Sequence, residues 1–397
     1  MTNQEIIALT GKYVATTYAR FPIALVRGEG CRVWDADGKA YLDFVAGIAV
    51  CALGHSHPRL VQAITAQARR LLHVSNLYHI EPQARLAELL CRHSFADRAF
   101  FCNSGAEANE AALKLARKYA KERFSSDRTE IITMRGSFHG RTLATVTATA
   151  QEKYQKGFEP LVPGFKYVPF NDLRAVELAV DARTAALLVE PIQGEGGVQV
   201  AADGYLAGLR KLCDERGPLL IFDEVQTGLG RTGTLFAYQQ AGVAPDILTL
   251  AKALAGGIPM GTMLAREEVM AAFTPGTHAA TFGGNPFAST VALETITTIL
   301  EEDLPGRAAR VGARILDRLR TLQARLPSIR ALRGRGLLIG IEVTADAKAI
   351  VAKCMERGLL ILTAGDTVLR LVPPLILSEA EADEGLGILE GVLGEAA

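Results

Sequence analysis

The sequence lacks an excess of charge of either sign. Lys and Arg together number 43, and so do Asp and Glu, so no overall field attracts nucleic acid or an anionic membrane. Long apolar runs are also missing, since none approaches the ~20 residues of a membrane span. The segment from Met1 to Arg20 has polar side chains distributed throughout it and lacks the continuous apolar core of a signal peptide. We therefore expect a cytoplasmic protein with small-molecule partners, no nucleic acid and no membrane.

Cysteine pairs and nucleotide signatures are missing too. None of the six cysteines stands in a CxxC pair, which fits neither a zinc cluster nor a disulfide framework, so no metal is expected. No GxxxxGK[ST] occurs, which argues against a P-loop nucleotidase. With 49% hydrophobic and 22% charged residues over 397 positions, the chain should form two or three globular domains.

The hydrophobic pattern predicts the α/β class. A hairpin is expected over residues 30–44, a helix from Pro58 with an apolar stripe reaching Leu72, a long helix near 307–326, and a last helix starting in a capping box at Ser378. From about residue 98, short apolar runs alternate with amphipathic helices, which indicates a mostly parallel sheet covered by helices on both faces. The candidate strands are Ala99–Cys102, Ile131–Met134, Ala185–Val189, Leu219–Phe222 and Ile247–Leu250.

Ligands of such a sheet bind beyond the carboxyl ends of its strands, so the residues that follow each strand matter most. Ser104 and Glu107 have capping-box spacing, and a helix starting at Gly105 offers free amides to an anion such as phosphate, although a merely capped helix has the same pattern. Asp223 ends a buried run and needs a cationic or hydrogen-bonding partner; a protonated pyridine nitrogen is one candidate and a structural ion pair is the alternative. Lys252 follows another strand in an apolar setting, where it is a candidate Schiff-base nucleophile or a lysine that reaches the surface.

One motif is typical of a different function, the binding of a dinucleotide. Residues 228–233 spell GxGxxG, but the dinucleotide fingerprint requires a tight turn directly from strand to helix. Here the glycines begin several residues after the strand. We predict a glycine-rich loop.

Five short sequence blocks, taken together, resemble the motifs of a known enzyme family. They are Ser104–Asn109, Phe138–Thr142, Glu190–Glu195, Asp223–Gly228 and Leu250–Lys252. In this order they resemble the class III (subgroup II) pyridoxal-phosphate aminotransferases, and within them the acetylornithine aminotransferases, from about Tyr18 onward. The resemblance implies a fold type I homodimer with active sites at the subunit interface. It also implies an N-terminal segment (1–52) that joins the small domain, a large cofactor-binding domain (53–290) and a small α+β domain (291–397).

The same resemblance implies roles for individual residues. Lys252 would bind pyridoxal 5′-phosphate covalently and Asp223 would pair with the pyridine nitrogen. The other cofactor-binding residues would be Gly105 and Ala106 at the phosphate, Thr281 of the partner subunit, Phe138 on the ring, and Glu224, Val225 and Gln226. For substrates, Arg141 would bind the α-carboxylate of the amino donor, Arg370 would bind 2-oxoglutarate, and Glu195 would mask Arg370; Tyr18, Ile48 and Ala280 are weaker candidates.

The implied reaction moves the δ-amino group of N2-acetyl-L-ornithine to 2-oxoglutarate, giving N-acetylglutamate 5-semialdehyde and glutamate, as in arginine biosynthesis. Ile48 stands where ornithine-specific members typically have tyrosine, which favours an acylated donor. Ala280 replaces a hydroxyl residue common in acetylornithine enzymes, which removes one hydrogen bond. N-succinyl-diaminopimelate, ornithine, an acylated lysine and 4-aminobutyrate remain alternative donors, and an aminomutase or a nucleotide-binding module are alternatives of another class.

Overall fold

The computed structural model describes residues 1–395, in which helices and strands alternate along the chain. The helices are α1 (Asn3–Tyr13), α2 (Ala46–Ala49), α3 (Pro58–Ala68), α4 (Glu81–His93), α5 (Gly105–Arg123), α6 (Leu143–Ala148), α7 (Glu152–Gln155), α8 (Leu173–Ala179), α9 (Tyr205–Arg216), α10 (Tyr238–Ala241), α11 (Glu267–Met270), α12 (Pro286–Glu301), α13 (Leu304–Gln323), α14 (Ala347–Glu356) and α15 (Glu379–Glu395). The strands are β1 (Leu25–Glu29), β2 (Arg32–Asp35), β3 (Ala40–Asp43), β4 (Arg98–Cys102), β5 (Glu130–Met134), β6 (Phe165–Val168), β7 (Thr184–Val189), β8 (Ile192–Gln193), β9 (Gln199–Val200), β10 (Leu219–Asp223), β11 (Ile247–Leu250), β12 (Gly261–Ala265), β13 (Ile329–Arg335), β14 (Leu338–Val343), β15 (Leu359–Leu360), β16 (Leu362–Thr363) and β17 (Val368–Leu371).

The central sheet has seven strands in the order β4-β12-β11-β10-β7-β5-β6. The strands from β11 to β6 run parallel, while β12 is antiparallel to both of its neighbours. All five predicted strands are present, because strands buried on both faces appear as continuous apolar runs; every residue of β7 is buried. The predicted α/β class with a mostly parallel sheet is confirmed.

Two further strands of this sheet were not predicted. β12 is buried throughout but follows the glycines of residues 256–257, which favoured a loop. β6 lies at the edge of the sheet, where three of its four residues are only half-buried, so it lacks a continuous apolar run.

Two four-stranded sheets lie outside the central sheet. The predicted hairpin over residues 30–44 is present as β2 and β3, and β15 pairs with β3 in parallel, with Leu359 opposite Leu42. A short stretch from near the C-terminus therefore completes the N-terminal sheet. The other sheet has the order β13-β14-β17-β16, and its strand β17 carries Arg370.

Three predicted helix boundaries can be compared with the structure. α3 ends at Ala68, so the prediction that its apolar stripe extends to Leu71 and Leu72 is wrong; these side chains are 45% and 55% exposed. α13 begins earlier than residue 307, because the Asp303 side chain accepts a hydrogen bond from the Gly306 amide and caps the helix at that point. α15 begins after Ser378, whose hydroxyl accepts a hydrogen bond from the Glu381 amide as predicted.

Neither a membrane span nor a metal cluster is found in the described part of the chain. Among residues 1–395, no helix combines the length and the apolar character that crossing a bilayer requires. In the same range, no three His, Cys, Asp or Glu side chains are grouped so that they could hold a metal ion.

Candidate active site

A cavity of about 460 Å³ opens at the carboxyl ends of the central strands. β4, β5, β7, β10 and β11 end at the same edge of the sheet, and the residues after each of them reach the cavity. Nine of the predicted site residues line it: Gly105, Ala106, Phe138, Arg141, Glu195, Asp223, Val225, Gln226 and Lys252.

Lys252 stands two residues after β11, at the first position of a short 3₁₀ turn that ends at Ala255. Its φ of 43° is in the left-handed region, which is uncommon for a residue with a side chain. Although its side chain faces the cavity, the surrounding protein removes most of the water from it. This desolvation lowers the pKa of Lys252 to about 8, against the opposing effect of the Glu195 charge. About a tenth of the side chains are therefore neutral amines at pH 7, far more than for a lysine with its ordinary pKa.

Asp223, the last residue of β10, is buried and hydrogen-bonded on both oxygens. Its Oδ2 accepts a hydrogen bond from Asn109 Nδ2 at 2.7 Å and lies 2.8 Å from His139 Nδ1. Its Oδ1 accepts from the Val225 amide at 3.0 Å. These partners fix the carboxylate at the wall of the cavity, where an unpartnered carboxylate would be costly.

The start of α5 forms another wall. The Ser104 hydroxyl accepts a hydrogen bond from the Glu107 amide at 3.2 Å, but the Glu107 carboxylate accepts from the Asn103 amide at 2.6 Å instead of completing the predicted capping box at Ser104. The amides of Gly105 and Ala106 have no acceptor among residues 1–395. A Cβ on Gly105 would lie 2.9 Å from Val225 Cγ1. The glycine thus allows close packing beside free helix amides that favour an anion.

Arg370, on β17, is buried beside the cavity. Its Nη1 donates hydrogen bonds to Glu195 Oε1 at 2.5 Å and to Gln226 Oε1 at 3.1 Å. Burial tends to raise the pKa of Glu195, but the charges of Arg370 and Lys252 outweigh it and hold that pKa below its usual value. Arg370 Nε is buried and has no partner within the described residues. The pair is therefore ionised, with hydrogen-bonding capacity left on the arginine.

Phe138 and Arg141 occupy the loop after β5. The Phe138 amide donates to Glu190 Oε2 at 3.0 Å, and the other oxygen of Glu190 accepts from the Gly194 amide at 3.3 Å. Burial, together with the nearby charge of Asp223, raises the pKa of Glu190 well above its usual value. Glu190 thus links the loop of Phe138 to the loop of Glu195.

Glu224 was predicted to bind the cofactor, but its side chain points elsewhere. Its two oxygens accept hydrogen bonds from the amides of Ala237 and Tyr238 at 2.6 and 2.8 Å, and it is absent from the residues that line the cavity. Burial raises the pKa of Glu224 to about 7. The carboxylate satisfies the free amides at the start of α10 and is a structural residue.

The other predicted residues lie outside the main cavity. Thr281 and Ala280 line a neighbouring hollow together with Asn103 and Glu107, and Thr281 is exposed. Tyr18 is 73% exposed and Ile48 is 42% exposed. None of these four candidates, Tyr18, Ile48, Ala280 and Thr281, contacts the cavity within one subunit.

Among the cavity residues that were not predicted, three orient other site residues through hydrogen bonds: Asn109, His139 and Glu190. Each falls inside one of the recognised blocks, so a signal for them existed. Residues 228–233 form turns, as predicted, with no helix before Tyr238.

Similarity to known proteins distinguishes between the alternative functions that this cavity allows. The model of the family described as aminotransferase class III matches residues 13–393. The chain belongs to the class III aminotransferases. Pyridoxal 5′-phosphate is the cofactor of this family, so the family, the fold type and the cofactor implied by the five blocks are confirmed, and the alternative of a nucleotide-binding module is not supported.

Individual relatives cover the whole chain. An acetylornithine aminotransferase of Caldanaerobacter subterraneus subsp. tengcongensis is 52% identical over 98% of this chain and 99% of its own, and one of Methanocaldococcus jannaschii is 49% identical over 100% and 99%. Among solved structures, the ornithine aminotransferase of Toxoplasma gondii ME49 superposes with a TM-score of 0.97 at 38% identity, covering 100% of this chain and 96% of its own. The acetylornithine aminotransferase of Elizabethkingia anophelis has a TM-score of 0.90 at 34% identity over all of both chains.

Proposed function

We propose that this class III aminotransferase moves the δ-amino group of N2-acetyl-L-ornithine to 2-oxoglutarate, as in arginine biosynthesis. The observation that carries the chemistry is the cavity itself, which brings a lysine with a pKa of about 8 together with a buried carboxylate and the open start of α5. The donor is supported by relatives named acetylornithine aminotransferase that match nearly the whole chain at about half identity.

The residues present fit pyridoxal 5′-phosphate. Lys252 supplies an amine that can condense with an aldehyde, Asp223 a fixed anion for a protonated ring nitrogen, and Gly105 and Ala106 free amides for a phosphate. Phe138 and Val225 are apolar side chains that line the same cavity and suit the two faces of a flat ring. When bound, the cofactor supplies an electron sink that stabilises negative charge on the carbon carrying the amino group.

The protein's own residues then manage protons. Asn109 and His139 orient Asp223 by hydrogen bonds, so that its charge keeps the proton on the ring nitrogen of a bound cofactor. The Nζ of Lys252, as a neutral amine, accepts the proton from the donor carbon and can return it to the neighbouring position. A pKa near the working pH suits a group that must both take up and release a proton.

Two arginines account for the two substrates. The guanidinium of Arg141 faces the cavity and would bind the α-carboxylate of the donor with its two-pronged donor set. Arg370 would bind a carboxylate of 2-oxoglutarate after Glu195 moves away from it. While Glu195 neutralises Arg370, the cavity can accept the uncharged acetylated part of the donor.

The assembly and domain division are further parts of the proposal. A homodimer would place Thr281 of the partner subunit near the phosphate, which agrees with the exposure of Thr281 at a hollow beside Asn103. The N-terminal segment 1–52 would join the small domain, supported by the pairing of β3 with β15. The large domain would cover 53–290 and the small domain 291–397, of which residues 396–397 lie outside the described residues.

Ornithine is the second candidate donor, because the fold matches an ornithine aminotransferase with a TM-score of 0.97. The two donors differ by an acetyl group that removes the positive charge of the α-amino group. Ile48 offers no polar group that would favour the charged form.

A donor panel tests the proposal. Purified holoprotein would be given acetylornithine, ornithine, N-succinyl-diaminopimelate, an acylated lysine or 4-aminobutyrate with 2-oxoglutarate, and glutamate formation would be measured. We expect the highest kcat/KM with acetylornithine, and no turnover in Lys252→Ala. Faster turnover of another donor, with acetylornithine negligible, would refute the substrate while leaving the aminotransferase chemistry in place.

A further inference from the structure

Tyr154 stands behind the cavity and holds the side chain of Arg141. The guanidinium carbon of Arg141 lies 4.1 Å from the centre of the Tyr154 ring and 5.4 Å from the centre of the Phe138 ring. The two rings contact each other edge to face, with centroids 5.7 Å apart and planes at 86°. Tyr154 itself does not line the cavity, so it can act on a substrate only through neighbours that do, of which Arg141 is the charged one.

Arg141 has no polar anchor within the described residues. It is exposed, and it forms no hydrogen bond or ion pair with any residue in the range 1–395. A long side chain left free in a cavity samples many rotamers, which reduces its affinity for a carboxylate. Contact of the guanidinium with aromatic rings restricts those rotamers and leaves all of the N–H donors available to a ligand.

The short helix α7, which carries Tyr154, is anchored by hydrogen bonds of its last residue Gln155 and of Gln151, which precedes it. Gln151 Nε2 donates to the carbonyl of Ser137 at 2.9 Å, which ties the start of α7 to the residue before Phe138. Gln155 Nε2 donates to the carbonyl of Thr149 at 2.9 Å and to that of Thr147 at 3.1 Å. A helix of only four residues would not hold a ring in place by itself, so these bonds provide the rigidity.

We propose that Tyr154 is a positioning residue that sets the guanidinium of Arg141 for the donor carboxylate and thereby contributes to selection of carboxylate-bearing donors. This inference rests on the proposed role of Arg141. Tyr154 takes no part in the proton transfers, and its hydroxyl is not needed for the contact, because the face of the ring provides it.

The test compares two donors that differ only in the carboxylate: acetylornithine and N-acetyl-1,4-diaminobutane. The absorbance of the bound cofactor would give kcat/KM of the first half-reaction for each donor in the same holoenzyme, so that loss of folded protein cancels in the ratio. Tyr154→Leu and Tyr154→Met should lower the preference for acetylornithine by about 3- to 30-fold, the range that corresponds to one cation–π contact. Tyr154→Phe should restore it.

Two controls separate the possible failures. Lys153→Ala, which removes the other cation near the same ring at 4.8 Å, should leave the preference unchanged. Arg141→Ala should abolish the preference, and Tyr154→Leu added to it should have no further effect, as expected for two residues that act as one unit. If Arg141→Ala abolishes the preference but both Tyr154 variants keep it, the inference about Tyr154 is wrong and the proposed function stands. A preference that survives Arg141→Ala would overturn the role of Arg141 and, with it, this inference.

Discussion

The lowered pKa of Lys252 should make the cofactor-free protein less stable near neutral pH than a variant without this amine. The folded-state pKa of about 8 lies below the ordinary value of 10.5, so folding disfavours the charged form. The unfolded chain binds more protons than the folded one between these two values, and the free energy of unfolding therefore rises with pH across that window. Below pH 8 the full cost of desolvating the ammonium group applies.

The size of the effect follows from the two pKa values. Each unit of difference corresponds to about 1.4 kcal/mol, so the cost is about 3 kcal/mol at pH 7 and falls to about 1.4 kcal/mol at pH 9.5. Lys252→Met keeps an unbranched but slightly shorter side chain and removes the charge. The cofactor-free variant should be more stable than the cofactor-free parent by amounts of this order.

Urea unfolding of both proteins, at equal concentration and at pH 7 and pH 9.5, measures the difference. Lys121→Met is a matched control, because Lys121 is an exposed lysine on α5 and surface changes stay within about 0.5 kcal/mol. A stabilisation by Lys252→Met that is the same at both pH values would show that packing, and not ionisation, is responsible. No stabilisation at pH 7 would refute the account of the Lys252 environment.

Three further outcomes are expected. Asp223→Asn should reduce turnover by about 100-fold or more, since the neutral asparagine side chain cannot hold the proton on the ring nitrogen. The cofactor should still bind, because the backbone amides at the start of α5 are unchanged; turnover is measured by activity and binding by absorbance titration with cofactor. Asn109→Ala removes one hydrogen bond to Asp223 and should lower kcat by about 10-fold with little change in KM for either substrate, a loss of about 1.4 kcal/mol; an equal rise in KM would contradict the assigned role. Glu195→Gln leaves the charge of Arg370 uncompensated beside the uncharged acetylamino group of the donor, so KM for acetylornithine should rise while KM for 2-oxoglutarate does not. Steady-state kinetics with both substrates varied measure the two KM values, and a rise for 2-oxoglutarate alone would contradict the masking role of Glu195.

Strands that are buried on both faces are the part of the fold that the sequence predicts best. β7 and β11 have no exposed residue, so each appears as an apolar run between helices. The antiparallel direction of β12 could not be predicted, because its apolar run is the same whichever way the strand points. Its place between β4 and β11 depends on the path of the preceding loop through residues 256–257, where both glycines have positive φ.

The opposite directions of the Asp223 and Glu224 side chains could have been predicted from the sequence. Successive residues of a strand point to opposite faces, so two adjacent acids at a strand end cannot both face one cavity. Asp223 accepts from Asn109 on the cavity side. Glu224 accepts from the Ala237 amide on the other. The resemblance to a family assigned both to the cofactor, whereas the alternation of the strand separates them.

What the sequence could not provide is the pairing that makes the site chemically specific. Asp223 is 84 residues from His139 and 114 from Asn109, and Arg370 is 175 residues from Glu195. No local pattern connects residues at such separations; only the order of strands in the sheet brings them together. That each buried charge needs a partner was predictable from the cost of burying it. Charged residues at the ends of buried strands therefore indicate where the cavity lies, even before their partners are known. The identity of each partner then decides the chemistry. A carboxylate that accepts from amides, as Asp223 does from Asn109 and Val225, stays available to a cofactor proton. A carboxylate paired with an arginine, as Glu195 is with Arg370, instead masks that arginine.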